Sequence, residues 1–369
     1  MLHGHSQLKK LTLFGAASLA ITISLLNAAE RDIPRNPPKM EWHKGYNGSG
    51  EESHPHYVIE TGDGSFLMVG ETGSIHNRTA RVFVVKTNSW GDLRWKQEFG
   101  RRGYNLGNCI VEMADGNYAI AGCLDYDAVL IKVDAATGKA LWKKTWNLGS
   151  EDAFEGVDLT PEGGIITTGY RDGLAESTFL NMGKGVLIKT DPKGNEQWKQ
   201  DLYSHMCSGY RIKTIRDGYM ISGHPRTEDS RDFSLLKTDL SGEVLWAKAY
   251  NTVYWGFDVD ADGNMIQAGH TRKSPLSRNW DVEITKVDPK GKVLWTKYFG
   301  QPRGYDGKWI HDEVWGARAT PDGGWLVVAG TGDETRKYEG RGHPAGRSGQ
   351  WRVDPIKTES SGNPGWGGI

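Results

Sequence analysis

Two hairpin patterns alternate along the chain. In the first, a short run of alternating apolar and polar residues meets an acidic-glycine turn, and a second run follows that ends in glycine. The six copies are VIETGDGSFLMVG, IVEMADGNYAIAG, VDLTPEGGIITTG, IKTIRDGYMISG, FDVDADGNMIQAG and ARATPDGGWLVVAG. Their turns are Asp63-Gly64, Asp115-Gly116, Glu162-Gly163, Asp217-Gly218, Asp262-Gly263 and Asp322-Gly323. An acidic residue followed by glycine between alternating apolar residues is a strong hairpin signal, because glycine takes the backbone angles such turns need. The second pattern is an apolar strand, a lysine, a polar glycine turn and then tryptophan: VVKTNSWGDLRWKQ, LIKVDAATGKALWKK, LIKTDPKGNEQWKQ, LLKTDLSGEVLWAK and ITKVDPKGKVLWTK. Lysine precedes tryptophan by nine or ten residues each time, from Lys86 and Trp95 to Lys286 and Trp295.

The two patterns together make a four-stranded unit repeated about every fifty residues. One such sheet cannot bury both of its faces, so the units must stack around an axis. The predicted fold is therefore all-β: a β-propeller of four-stranded antiparallel blades, with six repeats visible. Near the start, MEWHKGYNGSG reads as an outer strand without its own blade, since Trp42 lies twenty-one residues before Asp63 much as Trp95 lies twenty before Asp115. Such a strand completes the last blade of a ring, so seven blades are expected. The tail repeats the second pattern once more, with Lys357 nine residues before Trp366, but Pro355 and Pro364 interrupt it. The last blade is accordingly expected to be incomplete, and the domain at 41–369 truncated or degenerate at its C-terminal end.

Lys9 and Lys10 precede an apolar run from Leu11 to Leu26, and Ala28 and Ala29 follow. That order predicts an export signal peptide at 1–29 and a secreted or periplasmic protein, with a leader segment at 30–40. A formal net charge of −1 removes the basic field of a nucleic-acid binder, and nothing suggests a membrane partner; a monomer is expected. With 49 glycines and 15 tryptophans the chain suits many turns in an aromatic-rich sheet. Cys109 and Cys123 flank the Asp115-Gly116 turn almost symmetrically, so a disulfide between them is one alternative and free thiols the other. Cys207, close to His205, reads as a buried free thiol or, less simply, as part of a metal site.

Chemistry collects on one side of this topology. The turn inside each hairpin lies on one face, and the connections between hairpins lie on the other. His54, His56, His76, His205, His224, His270, His311 and His343 all fall next to those connections, eight of the nine histidines after the export segment. Arg171, Arg226, Arg272, Tyr210, Tyr254 and Trp255 fall there too. Loops carry polar residues in any protein, which accounts for part of this concentration. A shared pocket accounts for the rest, because loops near a propeller axis converge. Arginine matches carboxylate and sulfate through its forked donors, aromatic rings stack on sugar faces, and histidine and tyrosine carry protons. That set suits an acidic polysaccharide and β-elimination next to a uronate. Hydrolysis would instead want two opposed carboxylates, and Asp312 and Glu313, adjacent in one strand, point to opposite sides.

The repeat across 41–366, with its DGG and LIKTDxxGNxxW elements, looks like that of secreted bacterial propellers. The stretch FGQPRGYDGKWIHDEVWG resembles the seven-bladed ulvan lyases of marine bacteria. The resemblance implies endolytic cleavage of a sulfated, uronate-containing polysaccharide, with histidine and tyrosine as proton carriers and arginine as the carboxylate clamp. By position, His56 with His76 and Tyr210 with Arg226 are the catalytic candidates, each pair bracketing one hairpin. His54, Arg171, His224, Tyr254, His270, Arg272 and His311 are candidates for substrate binding. No cofactor is required by that chemistry and no metal ligand set is assigned, although a structural ion would be compatible with it. A non-catalytic propeller that binds glycan or protein is the alternative. The segment DAATGKALW also resembles the tryptophan-docking repeat of eight-bladed quinoprotein dehydrogenases, but the blades are too few and no adjacent cysteine pair exists.

Overall fold

The computed structural model describes residues 42–173, 183–226, 233–250, 253–271, 281–299, 308–335 and 352–366. The expected export and leader segments and Arg272 lie outside these residues, and Tyr254 and His311 are described in their backbone only. Blade 1 is β1 (Ser53–Glu60), β2 (Phe66–Thr72), β3 (Ala80–Thr87) and β4 (Leu93–Gly103). Blade 2 is β5 (Asn105–Glu112), β6 (Tyr118–Leu124), β7 (Asp127–Val133) and β8 (Ala140–Trp146). Blade 3 is β9 (Ala153–Leu159), β10 (Ile165–Arg171), β11 (Lys184–Thr190) and β12 (Glu196–Asp201). Blade 4 is β13 (Met206–Ile215), β14 (Gly218–Pro225), β15 (Phe233–Thr238) and β16 (Val244–Tyr250). Blade 5 is β17 (Val253–Val259), β18 (Met265–Thr271), β19 (Asp281–Val287) and β20 (Val293–Phe299). Blade 6 is β21 (Lys308–Ala319), β22 (Trp325–Thr335), β23 (Arg352–Thr358) and the short β24 (Pro364–Trp366). Every sheet is an antiparallel meander paired in chain order, so the fold is a β-propeller of four-stranded blades. The described residues build six of them.

The repeated residues explain how one blade is held. At the first turn, the Thr61 amide donates to the Ser65 carbonyl and the Gly64 amide to the Thr61 carbonyl, both at 2.8 Å, with Gly64 at φ +73°. The repeated lysine of the third strand reaches back to an acid at or beside that turn in all six blades. The pairs are Lys86–Asp63, Lys132–Asp115, Lys189–Glu162, Lys237–Asp217, Lys286–Asp260 and Lys357–Asp322, at 2.5–3.3 Å. The repeated tryptophan acts between blades. Trp95 lies on Gly138, Trp142 on Gly194, Trp198 on Gly242 and Trp295 on Gly362, so a Cβ on any of these glycines would meet the indole at 2.5–3.0 Å. Trp42 lies on Gly91 in the same way, which puts the N-terminal segment where a preceding blade's outer strand would run.

Apolar side chains fill the spaces between successive blades. Leu67, Val69 and Val84 meet Ile110, Ile120 and Ile131 between blades 1 and 2, and Ala119 and Leu130 meet Phe154, Ile165 and Ile188 between blades 2 and 3. Similar clusters join blades 3 to 4, 4 to 5 and 5 to 6. Among the described residues none joins blade 6 to blade 1, where Val58 is 51% exposed although its equivalents Ile110, Val157, Ile212, Phe257 and Ala317 are buried.

All three cysteines are free and buried, which corrects the disulfide alternative. The turn puts Cys109 opposite Ala121 and Cys123 opposite Leu106. The two cysteines are thus diagonal neighbours, about 7–8 Å apart and beyond the usual reach of a disulfide. The Cys207 thiol points toward the His224 and Pro225 carbonyls at 3.7 and 3.2 Å, and burial pushes its pKa up to about 11. No three His, Cys, Asp or Glu side chains come together as metal ligands among the described residues.

Candidate functional site

The innermost strand of every blade carries a β-bulge, and the bulges coincide. Pairing with the second strand skips from Pro55 to Tyr57, Gly107 to Cys109, Phe154 to Gly156, Gly209 to Arg211, Tyr254 to Gly256 and Val314 to Gly316. The residues left over are His56, Asn108, Glu155, Tyr210, Trp255 and Trp315. Each stands seven positions before the acidic residue of its turn. A bulge leaves one residue unpaired and re-aims its side chain, and bulges gather where a strand must present a group to a site.

Contacts between blades join these positions into two arcs around the axis. The His56 imidazole meets Asn108 at 3.1 Å, and Asn108 donates to the Phe154 carbonyl at 3.1 Å. Tyr210 packs edge-on to Trp255 with ring centroids 5.3 Å apart, and Trp255 stacks on Trp315 at 6.2 Å. One arc of the ring is polar and the other aromatic. Trp315 is 48% exposed, and His56, Glu155, Tyr210 and Trp255 are half-buried.

One residue deeper, the axis is closed. Two guanidinium groups lie over the Tyr57 ring of blade 1, Arg211 of blade 4 at 4.9 Å and Arg318 of blade 6 at 4.8 Å. Blades 1 and 4 are not neighbours, so this contact crosses the axis. Arg211 also lies 4.0 Å over the Tyr210 ring, donates to the Tyr210 hydroxyl at 3.1 Å and donates to the Glu155 carbonyl at 2.9 Å. Below, charges strap the blades together. Lys213 meets Asp258 at 3.3 Å, Asp158 accepts from the Thr214 amide at 2.7 Å and Asp258 from the Ala319 amide at 2.9 Å. Tyr57, Arg211 and Arg318 thus close the axis on the tight-turn side of the bulge residues.

Hydrogen bonding raises the proton affinity of His56. Asn108 gives its amide NH2 to Phe154, so its oxygen faces His56 and the imidazole Nδ1 must donate. The other nitrogen lies 2.7 Å from the Glu71 carboxylate, which His54 also meets at 3.2 Å. An acceptor facing each nitrogen favours the protonated ring. Burial alone would lower the His56 pKa, but the hydrogen bond and charge of Glu71, helped by Asn108, carry it above the ordinary histidine value. Burial raises the Glu155 carboxyl, against the opposing charges of Arg211 and His56, and burial likewise raises the Tyr210 phenol. Arg211 and Arg318 stay above the usual guanidinium value, since nearby groups, Tyr210 first for Arg211 and Tyr57 first for Arg318, outweigh their desolvation. Among the described residues neither guanidinium has a carboxylate at ion-pair distance.

The sequence-predicted residues divide into two groups. His56 and Tyr210 come together in the axial ring, and His54 touches its edge through Glu71. His76 is exposed in the turn between β2 and β3, away from the axial contacts. Arg226 is exposed and lies over the Tyr203 ring at 5.6 Å, so it does not join Tyr210. Arg171 pairs with Asp172 at 2.8 Å and with Asp201 of the outer strand. His224 is buried edge-on to Phe233 at 4.5 Å, and His270 is buried in β18. The backbones of Tyr254 and His311 pair with Gly269 and Gly332. Tyr57, Asn108, Glu155, Arg211, Trp315 and Arg318 are site residues the sequence reading did not single out. The constant seven-residue spacing to the turn would have found the ring positions.

No protein-family model matches the chain, and no curated protein does. Solved propellers resemble it at low identity. The Dos1 propeller is 12% identical, with a TM-score of 0.45 over 85% of this chain and 82% of that one. PorZ, a surface component of the type-IX secretion system of Porphyromonas gingivalis, is 10% identical, with a TM-score of 0.49 over 80% of this chain and 42% of that one. The propeller domain of the Trilobed protease from Pyrococcus furiosus, which has an open velcro topology, is 10% identical, with a TM-score of 0.41 over 85% of this chain and 92% of that one.

Proposed function

We propose that this chain is a secreted polysaccharide lyase that binds a uronate-containing, sulfated polysaccharide of the ulvan type in the axial pocket and cleaves it by β-elimination. One observation carries the reading: two guanidinium groups without a carboxylate partner converge on Tyr57 at the axis, under an arc of three aromatic rings. Desolvated cations of this kind favour an anionic ligand, and exposed indole faces favour sugar rings. Arg211 and Arg318 take the role of the carboxylate clamp that the resemblance assigns to arginine. They would stabilise the negative charge that grows on the uronate carboxylate as its neighbouring C–H is broken.

Tyr210 fits the proton donor to the leaving oxygen, because its hydroxyl accepts from Arg211 and keeps its own proton. His56, whose protonated form is favoured by Glu71 and Asn108, fits a positive charge better than a base. The test is to incubate purified protein with ulvan, polygalacturonate and other uronate polymers and follow the ultraviolet absorbance of the unsaturated uronate. Absorbance growing with time supports the lyase. Saturable binding without absorbance overturns the lyase and leaves a glycan-binding propeller; the absence of both overturns the glycan reading as well.

A further inference from the structure

The reaction needs a base, and among the described side chains four carboxylates belong to the axial ring or contact its residues. Three are engaged. Glu71 is held between His54 and His56, Asp158 accepts from the Thr214 amide, and Asp258 is taken by Lys213 and the Ala319 amide. Glu155 differs. Its backbone carbonyl accepts from Arg211, but among the described residues its carboxylate accepts no hydrogen bond and forms no ion pair. It occupies the bulge of β9, between Asn108 and Tyr210 in the ring. The two cations that act on it are tied elsewhere, His56 to Glu71 and Asn108, and Arg211 to Tyr210 and to the blade 3 backbone.

We propose that Glu155 is the catalytic base of the elimination, an inference that rests on the lyase reading. One carboxylate oxygen takes the proton from C5 of the bound uronate. The electron pair of the broken C–H bond forms the C4=C5 double bond, the C4–O bond breaks, and the leaving oxygen takes the proton of the Tyr210 hydroxyl. Solvent then removes the proton from Glu155 and returns one to Tyr210, so the cycle is redox-neutral and needs no co-reactant. A carboxyl raised by burial suits the role, because a weaker acid is the stronger base once ionised. A purely structural carboxylate at this point would be expected to close on Arg211, whose guanidinium instead bonds to the Glu155 main chain.

The experiment compares wild type, Glu155→Gln and Glu155→Asp on the polymer that wild type cleaves. For E155Q, the rate of unsaturated uronate formation should fall at least about 100-fold, with binding of the same polymer, read by tryptophan fluorescence, within about threefold of wild type. E155D keeps a carboxylate one methylene short, so it should retain measurable turnover and move the acid limb of the pH profile. Wild-type cleavage with E155Q within a few-fold of it overturns the role of Glu155 and leaves the lyase standing. An E155D acid limb identical to wild type overturns it as well, even if E155Q fails to fold. Wild type without cleavage of any uronate polymer overturns the lyase itself.

Discussion

The rim and the axis of this propeller use the same repeat in opposite ways. At the rim the residue recurs: tryptophan lies on a glycine of the next blade at Gly91, Gly138, Gly194, Gly242 and Gly362. At the axis the position recurs and the residue does not, since six equivalent bulges carry His56, Asn108, Glu155, Tyr210, Trp255 and Trp315. A contact that holds successive blades at one spacing favours the same pair, although at Gly291 Lys248 stands in place of the tryptophan. A pocket built around an axis gains from six different groups, because one asymmetric ligand meets a different neighbour on every side. Repetition therefore marks structure here, and divergence at a fixed position marks the candidate site.

The largest effect that would break this division is at the rim. Gly138 has φ +68°, and a Cβ there would lie 2.5 Å from the Trp95 ring. Gly138→Ala should cost about 2–4 kcal/mol in urea unfolding, from the left-handed backbone and the displaced indole. The variant that remains folded should bind polymer as wild type does. At the axis the expectation reverses: Trp315→Ala should weaken polymer binding about threefold to tenfold, while its exposed position leaves the unfolding midpoint nearly unchanged. A loss of stability as large as that of the Gly138 variant would contradict the proposed separation of roles.

A smaller effect follows from His56. Its folded pKa is above the ordinary value, so the Glu71 and Asn108 contacts stabilise the fold fully below about pH 6.5, and that contribution is lost as pH rises through the raised value. The melting temperature should drop over that interval in wild type and stay flatter in His56→Gln. The smallest effect belongs to the repeated lysine pairs. Lys86→Met should cost under about 1 kcal/mol, because the Asp63 partner is mostly exposed. The Asp63 carboxyl is held well below its ordinary value, first by the Thr61 hydroxyl and then by Ser65 and Lys86. Its contribution is present above the ordinary carboxylate pKa and disappears as pH falls through the lower folded one, which an acid titration of stability in wild type and Lys86→Met would show.

The blades were legible because each feature that makes one is local. Acidic-glycine turns, alternating strands and the lysine-to-tryptophan spacing all fall within one repeat, and the two residue types that recur most strictly prove to hold the turn and the next blade. Even Trp42, outside any strand, was readable from its distance to Asp63. The pocket was legible only in part. Alternation along a strand predicts which side chains share a face, but a bulge shifts the count by one, so strand parity did not bring out Glu155 or Trp315. Arg211 reaches Tyr57 across the axis, and no spacing along the chain encodes that contact. His76 and Arg226 bracket their hairpins in sequence, yet both side chains are exposed, away from the axial ring.

The central claim is that the ring of bulges above Tyr57, Arg211 and Arg318 holds the ligand. A crystal structure with a bound uronate oligosaccharide tests it most directly. The account predicts sugar density on the axis, with a carboxylate toward Arg211 and Arg318 and a pyranose ring against Trp315. An oligosaccharide seated on the outer strands or on the tight-turn face, with the axial ring untouched, would contradict it.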